Sequence, residues 1–332
     1  MIHSLKNRFG TSNSTFSPSA ETKWIGFIGH NVVNQLEKLG NHCAIIDNLS
    51  NYGIIPTNEI LNLYNYRKKY YTAEVYNIDF GNFTNEIDLL IEKYKPDIII
   101  HMAGFPRQEF VKTNPKLASD VMIGGTIGLL EAAKKYNVKR FVYISSSMVY
   151  GNFINSVDEN HPTNPTNLYG VLKLTGESLI KDYCRNTNIQ YNIIRPSAVY
   201  GKRDIKNRVV NKFILAAING TPLKVCGVNE KLDFTYVDDT VNGIVLATLN
   251  NEHFDKIYNI TRAVSHTILD AAKIIVNIVG KGEIKIENKH TDYPSRSSLI
   301  INKATTELGY VPKTDIKEGF QKCYEWIKNT IY

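Results

Sequence analysis

Short apolar runs alternate with longer segments whose apolar residues recur every three or four positions. CAIID (43–47), AEVYNI (73–78), DIIIHMA (97–103) and RFVYISSS (140–147) are short, rich in β-branched residues and nearly continuous. That pattern predicts strands buried on both faces. Between them the spacing predicts helices over 84–94 and 114–136, the second with Pro115 near its start and Lys134 and Lys135 near its end. Alternation at this pitch implies βαβ units and an α/β fold with a doubly wound parallel sheet. After YNIIRPSAVYG (191–201) the alternation loosens. Helical patterns at 209–219, 239–249, 266–279 and 315–328 mix with short strands. The chain thus divides into an atypical segment 1–22, a sheet domain 23–195 and a smaller α/β substrate domain 196–332, interleaved with the sheet domain.

Composition narrows the classes. The chain has 332 residues, 43% apolar and 21% charged, enough to bury a sizeable core. The net charge of +7 comes from Lys and Arg scattered along the chain, with no run of five or six. This argues against nucleic acid and fits attraction for phosphorylated small molecules or a solvated surface. No apolar stretch reaches the ~20 residues that span a bilayer, and none near the start has signal-peptide length. Cys43, Cys184, Cys226 and Cys323 are widely spaced, without a CxxC pair. They read as reduced thiols rather than disulfides or a metal site, and a cytoplasmic protein is expected.

Gly26-Phe27-Ile28-Gly29 opens the helical pattern HNVVNQLEKLG, and the strand CAIID ends in Asp47-Asn48 eighteen residues after Gly29. Glycines let backbone approach a pyrophosphate at a helix N-terminus, and an acid at this distance can bind a ribose diol. A carboxylate there repels a 2′-phosphate, so NAD is favoured over NADP. Taken alone, the same residues also fit a plain turn and a loop. The preceding stretch STFSPSAET is polar and contains Pro18, and Lys23 stands where a first glycine is expected. A central parallel strand cannot be built from it. The first strand is therefore atypical: either the sheet lacks its middle member or something else fills the gap, and residues 1–15 are expected to be poorly ordered.

Tyr-x-x-x-Lys places a phenol and an ammonium one turn apart on a helix. The ammonium favours phenolate and so prepares a general base. The pattern occurs at Tyr64/Lys68, Tyr169/Lys173 and Tyr324/Lys328. Only Tyr169/Lys173 follows a strand ending in serines, Ser145-Ser146-Ser147, with the proline-rich approach ENHPTNPTNLYG. Ligands in such sheets lie at the carboxyl ends of strands. The other two pairs read as surface helix residues. His101, at a strand end, reads as structural, and Asp238-Asp239 as the start of a helix.

In sum, the order GFIG, DN, HMAG, SSSMVYG, YGVLK and RPSAVYG, with GTPLKVCGVNEKLDFTYVDD and PSRSSLIINKATTELGYVPKT, resembles the extended short-chain dehydrogenase/reductase family, in its NAD-dependent epimerase/dehydratase branch. The resemblance runs from about residue 24 to the C-terminus. It implies a Rossmann-type domain binding NAD, a nucleotide-sugar domain, and a homodimer through helices 114–136 and 167–187. By position it implies Tyr169 as base, Lys173 as its partner and Ser146 as the hydroxyl on the reacting sugar oxygen. It implies cofactor contacts from Gly26, Phe27, Ile28, Gly29, Asp47, Asn48, Asp79, Phe80, Ala103, Gly104 and Pro196, besides Tyr169 and Lys173. Substrate contacts are implied for Ser146, Ser147 and Ser197, and nucleotide phosphates for Arg208 and Arg296. Arg107, in GFPRQ, could meet a substrate charge or lie on the surface.

Departures from the family pattern select the chemistry. Dehydratases of this branch carry an acidic pair where this chain has Ser147-Met148, and decarboxylating relatives keep a Glu at Met148. A serine and a thioether cannot run an elimination. Leu232, Met122 and Ala198 replace an Arg and two Asn residues of the pattern, which leaves the sugar open. C4 epimerisation of a UDP-sugar through a 4-keto intermediate is the expected activity. A nucleotide-sugar reductase, a different epimerase of the branch, and a non-catalytic dinucleotide-binding protein are the alternatives.

Overall fold

The computed structural model describes residues 2–4, 26–49, 56–79, 81, 85–105, 108–288 and 294–331. The first half of the chain runs β1 (Ile2–Ser4), α1 (Phe27–Lys38), β2 (His42–Asp47), α2 (Thr57–Lys68), β3 (Glu74–Asn77), α3 (Asn85–Tyr94) and β4 (Ile98–His101). It continues through α4 (Gln108–Thr113), α5 (Pro115–Ser119), α6 (Gly125–Lys135), β5 (Arg140–Ile144), α7 (Leu168–Arg185) and β6 (Gln190–Pro196). The strands expected at 43–47, 73–78, 97–103 and 140–147 are β2 to β5; β2 begins one residue earlier and the other three are shorter. A seven-stranded sheet has the order β11-β6-β5-β4-β1-β2-β3, where β11 is Lys256–Ile260. Its pairs β2/β3, β4/β5, β5/β6 and β6/β11 are parallel.

Period-two alternation makes two cores from one sheet. Ile98, Ile100, Val142, Ile144 and Ile194 point to one face, where Val32 and Leu36 of α1 meet Val241, Ile244 and Val245 of α9 (Val237–Leu249). Ile99, Phe141, Tyr143 and Ile193 point to the other, against Ile87 and Ile91 of α3, Leu129 and Leu130 of α6, and Leu172 and Ile180 of α7. All four residues of β4 are buried. With apolar residues dominating both faces, these strands had to be covered by helices on both sides.

The expected helix over 114–136 is one helical run with an irregular middle: α5, a π-helical turn at Asp120–Gly124, then α6. The Thr126 hydroxyl donates to the Met122 carbonyl at 2.7 Å, so a side chain takes up an acceptor of the backbone ladder there. Beyond β6 come β7 (Val199–Tyr200), α8 (Val209–Asn219), β8 (Leu223–Cys226), β9 (Lys231–Asp233), β10 (Thr235–Tyr236) and α9. After β11 follow β12 (Ser265–Thr267), α10 (Ile268–Val279), β13 (Ile284–Glu287), α11 (Asn302–Leu308) and α12 (Ile316–Ile331). Three two-stranded sheets, β7/β10, β9/β12 and β8/β13, lie in this part, while β11 returns to the edge of the main sheet.

At the centre of the sheet the second of the two alternatives holds. Its middle place is filled, not empty: β1 lies between β2 and β4 and runs antiparallel to both. Ile2 faces Ala44 and Ile99, and Ser4 faces His42. Two buried strand edges facing a gap carry rows of unpaired N–H and C=O groups, so even three extended residues are stabilised there. Of the stretch expected to be poorly ordered, residues 5–15 lie outside the described residues, as does the polar stretch around Pro18.

Helix α7 approaches the sheet where it has no side chain. A methyl group added at Gly176 would overlap the hydroxyl of Tyr143, which is 1% exposed and cannot swing away. Gly176→Ala is therefore expected to cost about 1–3 kcal/mol in urea unfolding, and Tyr143→Phe in the same chain should recover part of it. An unchanged midpoint in the single variant would show that the α7–β5 spacing is slack.

Candidate active site

The carboxyl end of β5 gives way to a single 3-10 turn, Ser147–Tyr150. Ser146 caps it, its side-chain oxygen accepting from the Met148 N–H at 3.2 Å. Helix α7 starts beside this turn. Asn167 caps it by accepting from the Gly170 N–H at 3.0 Å. A Cβ at Gly170 would stand 2.7 Å from the Met148 carbonyl oxygen, so a glycine permits the approach. The first turn of α7 then sets Tyr169 beside Ser146. Burial raises the Tyr169 pKa, while the Ser146 hydroxyl and the Arg208 guanidinium pull it back. One turn on, the buried Lys173 ammonium donates to the Ile144 carbonyl at 2.7 Å and lies 5.0 Å from the Tyr143 ring centroid. Burial lowers its pKa to about 8, with the Glu177 carboxylate opposing.

Other predicted residues gather around this pair. Gly104 follows β4, and a Cβ there would meet Lys173 Nζ at 3.5 Å. Its φ of +154° suits glycine. Ala103 is partly buried beside it. Pro196 ends β6 opposite Ile260, and Ser197 after it is buried. Ser147 is buried and accepts from Arg296 Nη1 at 3.0 Å. Arg208 stands at the start of α8, on the Tyr169 side of the site. Phe80 and Arg107 lie outside the described residues.

A second group of predicted residues sits at the other end of the same sheet edge. Gly26 is the N-cap of α1 and offers no side chain to it, and no described atom lies within 4 Å of a Cβ built on Gly26 or Gly29. Among the described residues no side chain caps the first-turn N–H groups of Phe27, Ile28 and Gly29, and a helix N-terminus of this kind receives a phosphate. Asp47 ends β2, accepting from the Leu49 N–H at 2.8 Å, and burial raises its pKa to about 7. Asn48 donates to Asp79 Oδ2 at 3.0 Å, and the other Asp79 oxygen accepts from the Gly81 N–H at 2.7 Å. The helix N-terminus, the acid at the end of β2 and the opening at Gly104 lie along the carboxyl ends of the strands, and they fit a dinucleotide.

Sequence reasoning took His101 as structural and passed over Arg67, Glu177 and Arg195. His101 is buried, and burial, with Lys173 second, holds its pKa well below 6.5. Its Nε2 meets Thr126 Oγ1 at 2.9 Å, and since that hydroxyl donates to Met122, His101 is the donor and neutral. Arg67, fully buried, donates to the Arg203 carbonyl, and Arg203 in turn reaches His30 and Asn31 of α1. Glu177 and Arg195 form a buried ion pair at 2.6 Å. An i,i+4 step from Lys173 was the available signal for Glu177; nothing local marked Arg67 or Arg195.

Comparison with known proteins places this arrangement. A Methanocaldococcus jannaschii protein, provisionally named UDP-glucose 4-epimerase, is 33% identical over 92% of this chain and 96% of its own. The crystal structure of UDP-glucuronic acid 4-epimerase from Bacillus cereus, with UDP-glucuronic acid and NAD, is 28% identical with a TM-score of 0.84, covering 92% of this chain and 97% of that one. UDP-glucose 4-epimerase from Thermotoga maritima, with UDP-glucose, is 25% identical with a TM-score of 0.83 over the same shares. The model of the NAD dependent epimerase/dehydratase family matches residues 25–261. The site is thus that of a known lineage with NAD as its cofactor, and the chain belongs to the NAD-dependent epimerase/dehydratase family.

Proposed function

We propose that this protein is an NAD-dependent nucleotide-sugar epimerase that inverts C4 of a UDP-sugar. The observation that carries the reading is the Ser146–Tyr169–Lys173 constellation beside a turn, Ser147-Met148, that holds no acid or base for elimination. Ser147 is committed to Arg296, and Met148 is buried. The UDP-sugars of the B. cereus and T. maritima enzymes support the substrate class.

In this mechanism Tyr169 takes the proton of the C4 hydroxyl, with the Ser146 hydroxyl bridging to the same oxygen. The Lys173 ammonium favours phenolate and holds the nicotinamide ribose. Bound NAD supplies a reversible hydride acceptor for C4. The 4-keto sugar turns about its pyrophosphate linkage, and Tyr169 returns the proton after the hydride arrives on the other face. Gly26 to Gly29 receive the cofactor pyrophosphate, Asp47 and Asn48 the adenosine ribose, Asp79 and Phe80 the adenine. Ala103, Gly104 and Pro196 line the nicotinamide half. Ser147, Ser197, Arg208, Arg296 and Arg107 are assigned to the substrate, and residues 196–332 form most of its domain.

The reading includes a homodimer and a cytoplasmic location. Leu117 on α5 and Val171 on α7 are exposed apolar residues on the two helices expected to pair. The four cysteines are free thiols, which suits a reducing compartment. Among the described residues no helix is long and apolar enough to cross a membrane.

Three outcomes are expected. Incubated with UDP-sugars and no added reductant, the protein should produce C4 epimers, and Tyr169→Phe should lower turnover about 10²–10⁴-fold while NAD binding persists. Consumption of NADH in proportion to product, or a product lighter by one water, would refute the epimerase reading. Calorimetry should find NAD bound more tightly than NADP, with the preference about tenfold larger at pH 8 than at pH 6. Asp47, with its pKa near 7, is mostly a carboxylate at the higher pH and mostly neutral at the lower. A preference that does not change with pH would remove Asp47 from the ribose. Finally, Val171→Asp should convert a sedimenting dimer into monomer; a monomeric wild type would defeat the dimer assignment.

A further inference from the structure

Beneath the proposed site lies a charged cluster that the mechanism does not use. Glu177 is wholly buried on α7, one turn beyond Lys173 and two beyond Tyr169. Its Oε1 accepts from the Ser145 hydroxyl at 2.6 Å and from Arg195 Nε at 2.9 Å, and its Oε2 from Arg195 Nη2 at 2.6 Å. Arg195 lies on β6 and stacks over the Tyr150 ring at 4.7 Å. The Tyr150 hydroxyl donates to Asn259 of β11 at 2.8 Å. One carboxylate thus ties α7 to the ends of β5 and β6, at the residue immediately before Ser146.

Burying an ion pair is not a route to net stability, since desolvation offsets the attraction. A pair of apolar side chains would have packed the same space. What the pair supplies is direction: two oxygens aimed at a hydroxyl and a planar fork fix three elements relative to one another. It also supplies a negative charge next to the buried Lys173 ammonium. Among the described residues, the other titratable groups facing Lys173 are neutral: His101 from β4, Tyr143 from β5 and Tyr169 from α7 itself. Glu177 is therefore the counter-charge on that side of the ammonium.

We propose that Glu177 is a positioning residue of the reaction, holding Ser145 and Arg195 so that the serine end of β5 and the Tyr169–Lys173 turn of α7 keep their relative places, with a carboxylate one turn from the Lys173 ammonium. The proposal rests on the epimerase reading for its kinetic consequences but not for the lysine charge. With Glu177 in place, the Lys173 pKa is about 8; without it, burial acts unopposed and the value falls.

The test uses Ser145→Ala, Glu177→Gln and the double variant Glu177→Gln/Arg195→Met. In lysine-labelled, ligand-free protein, the Lys173 13Cε resonance is assigned by its absence in Lys173→Met. It should titrate with a midpoint near pH 8 in the wild type and at clearly lower pH in both Glu177→Gln variants. With a UDP-sugar, Ser145→Ala should lower kcat about 10–100-fold with KM little changed. The double variant leaves no unpaired charge, so it should regain the thermal midpoint that Glu177→Gln loses but not its kcat. A purely structural role would return both. Wild-type kcat in Ser145→Ala, or an unmoved lysine midpoint in a folded Glu177→Gln variant, overturns the proposal. A wild type that turns over no UDP-sugar defeats the epimerase reading instead, and the lysine titration still decides this one.

Discussion

Everything at the site depends on how closely one helix lies against one strand end. Helix α7 presses glycines, Gly170 and Gly176, against the Met148 carbonyl and the Tyr143 hydroxyl. With side chains at those positions, Tyr169 would withdraw from Ser146 and Lys173 from the Ile144 carbonyl. The capping Asn167 fixes where the helix begins, and thus which residue faces the serine. A reactive pair one turn apart is cheap in sequence; a bed that brings it within hydrogen-bonding distance of a strand end is not.

The closeness has an electrostatic cost. An ammonium buried among a tyrosine ring, a neutral histidine and apolar residues loses most of its hydration, and its proton is held less firmly than in water. The same burial raises the Tyr169 pKa. The two shifts oppose the charges that base catalysis requires, so the surroundings must restore them. Serine, arginine and carboxylate near the pair each do part of that, and none acts alone.

Sequence periodicity revealed β2 to β5 because these strands are apolar on both faces and short, a pattern no amphipathic helix produces. It revealed α8 to the residue, since VVNKFILAAIN is bounded by Arg208 before and Gly220 after. Helix α2 was legible only at Tyr64/Lys68, and its extent was not: TNEILNLYNYRK carries few apolar residues at helical spacing and buries mainly Ile60, Leu63 and Arg67. The serine run and the Tyr169/Lys173 pair could be read because spacing and strand position agree. Arg195 could not, because its partner is eighteen residues away and only the fold brings them together. The central strand misled for a related reason. The local sequence before α1 is unfit for it, but the place was taken by residues from the start of the chain, and pairing between distant segments leaves no local mark.

That reversed strand leaves a seam in the sheet. Among the described residues, two parallel blocks, β2–β3 and β4–β5–β6–β11, are joined by backbone hydrogen bonds through Ile2–Ser4, at the amino-terminal half of the crossing. Above it, the ends of β2 and β4 carry Asp47 on one block and His101, beneath Lys173, on the other. The residues suited to the two halves of a dinucleotide therefore stand on opposite banks. A molecule gripped on both sides acts as a strut, bracing one block of strands against the other.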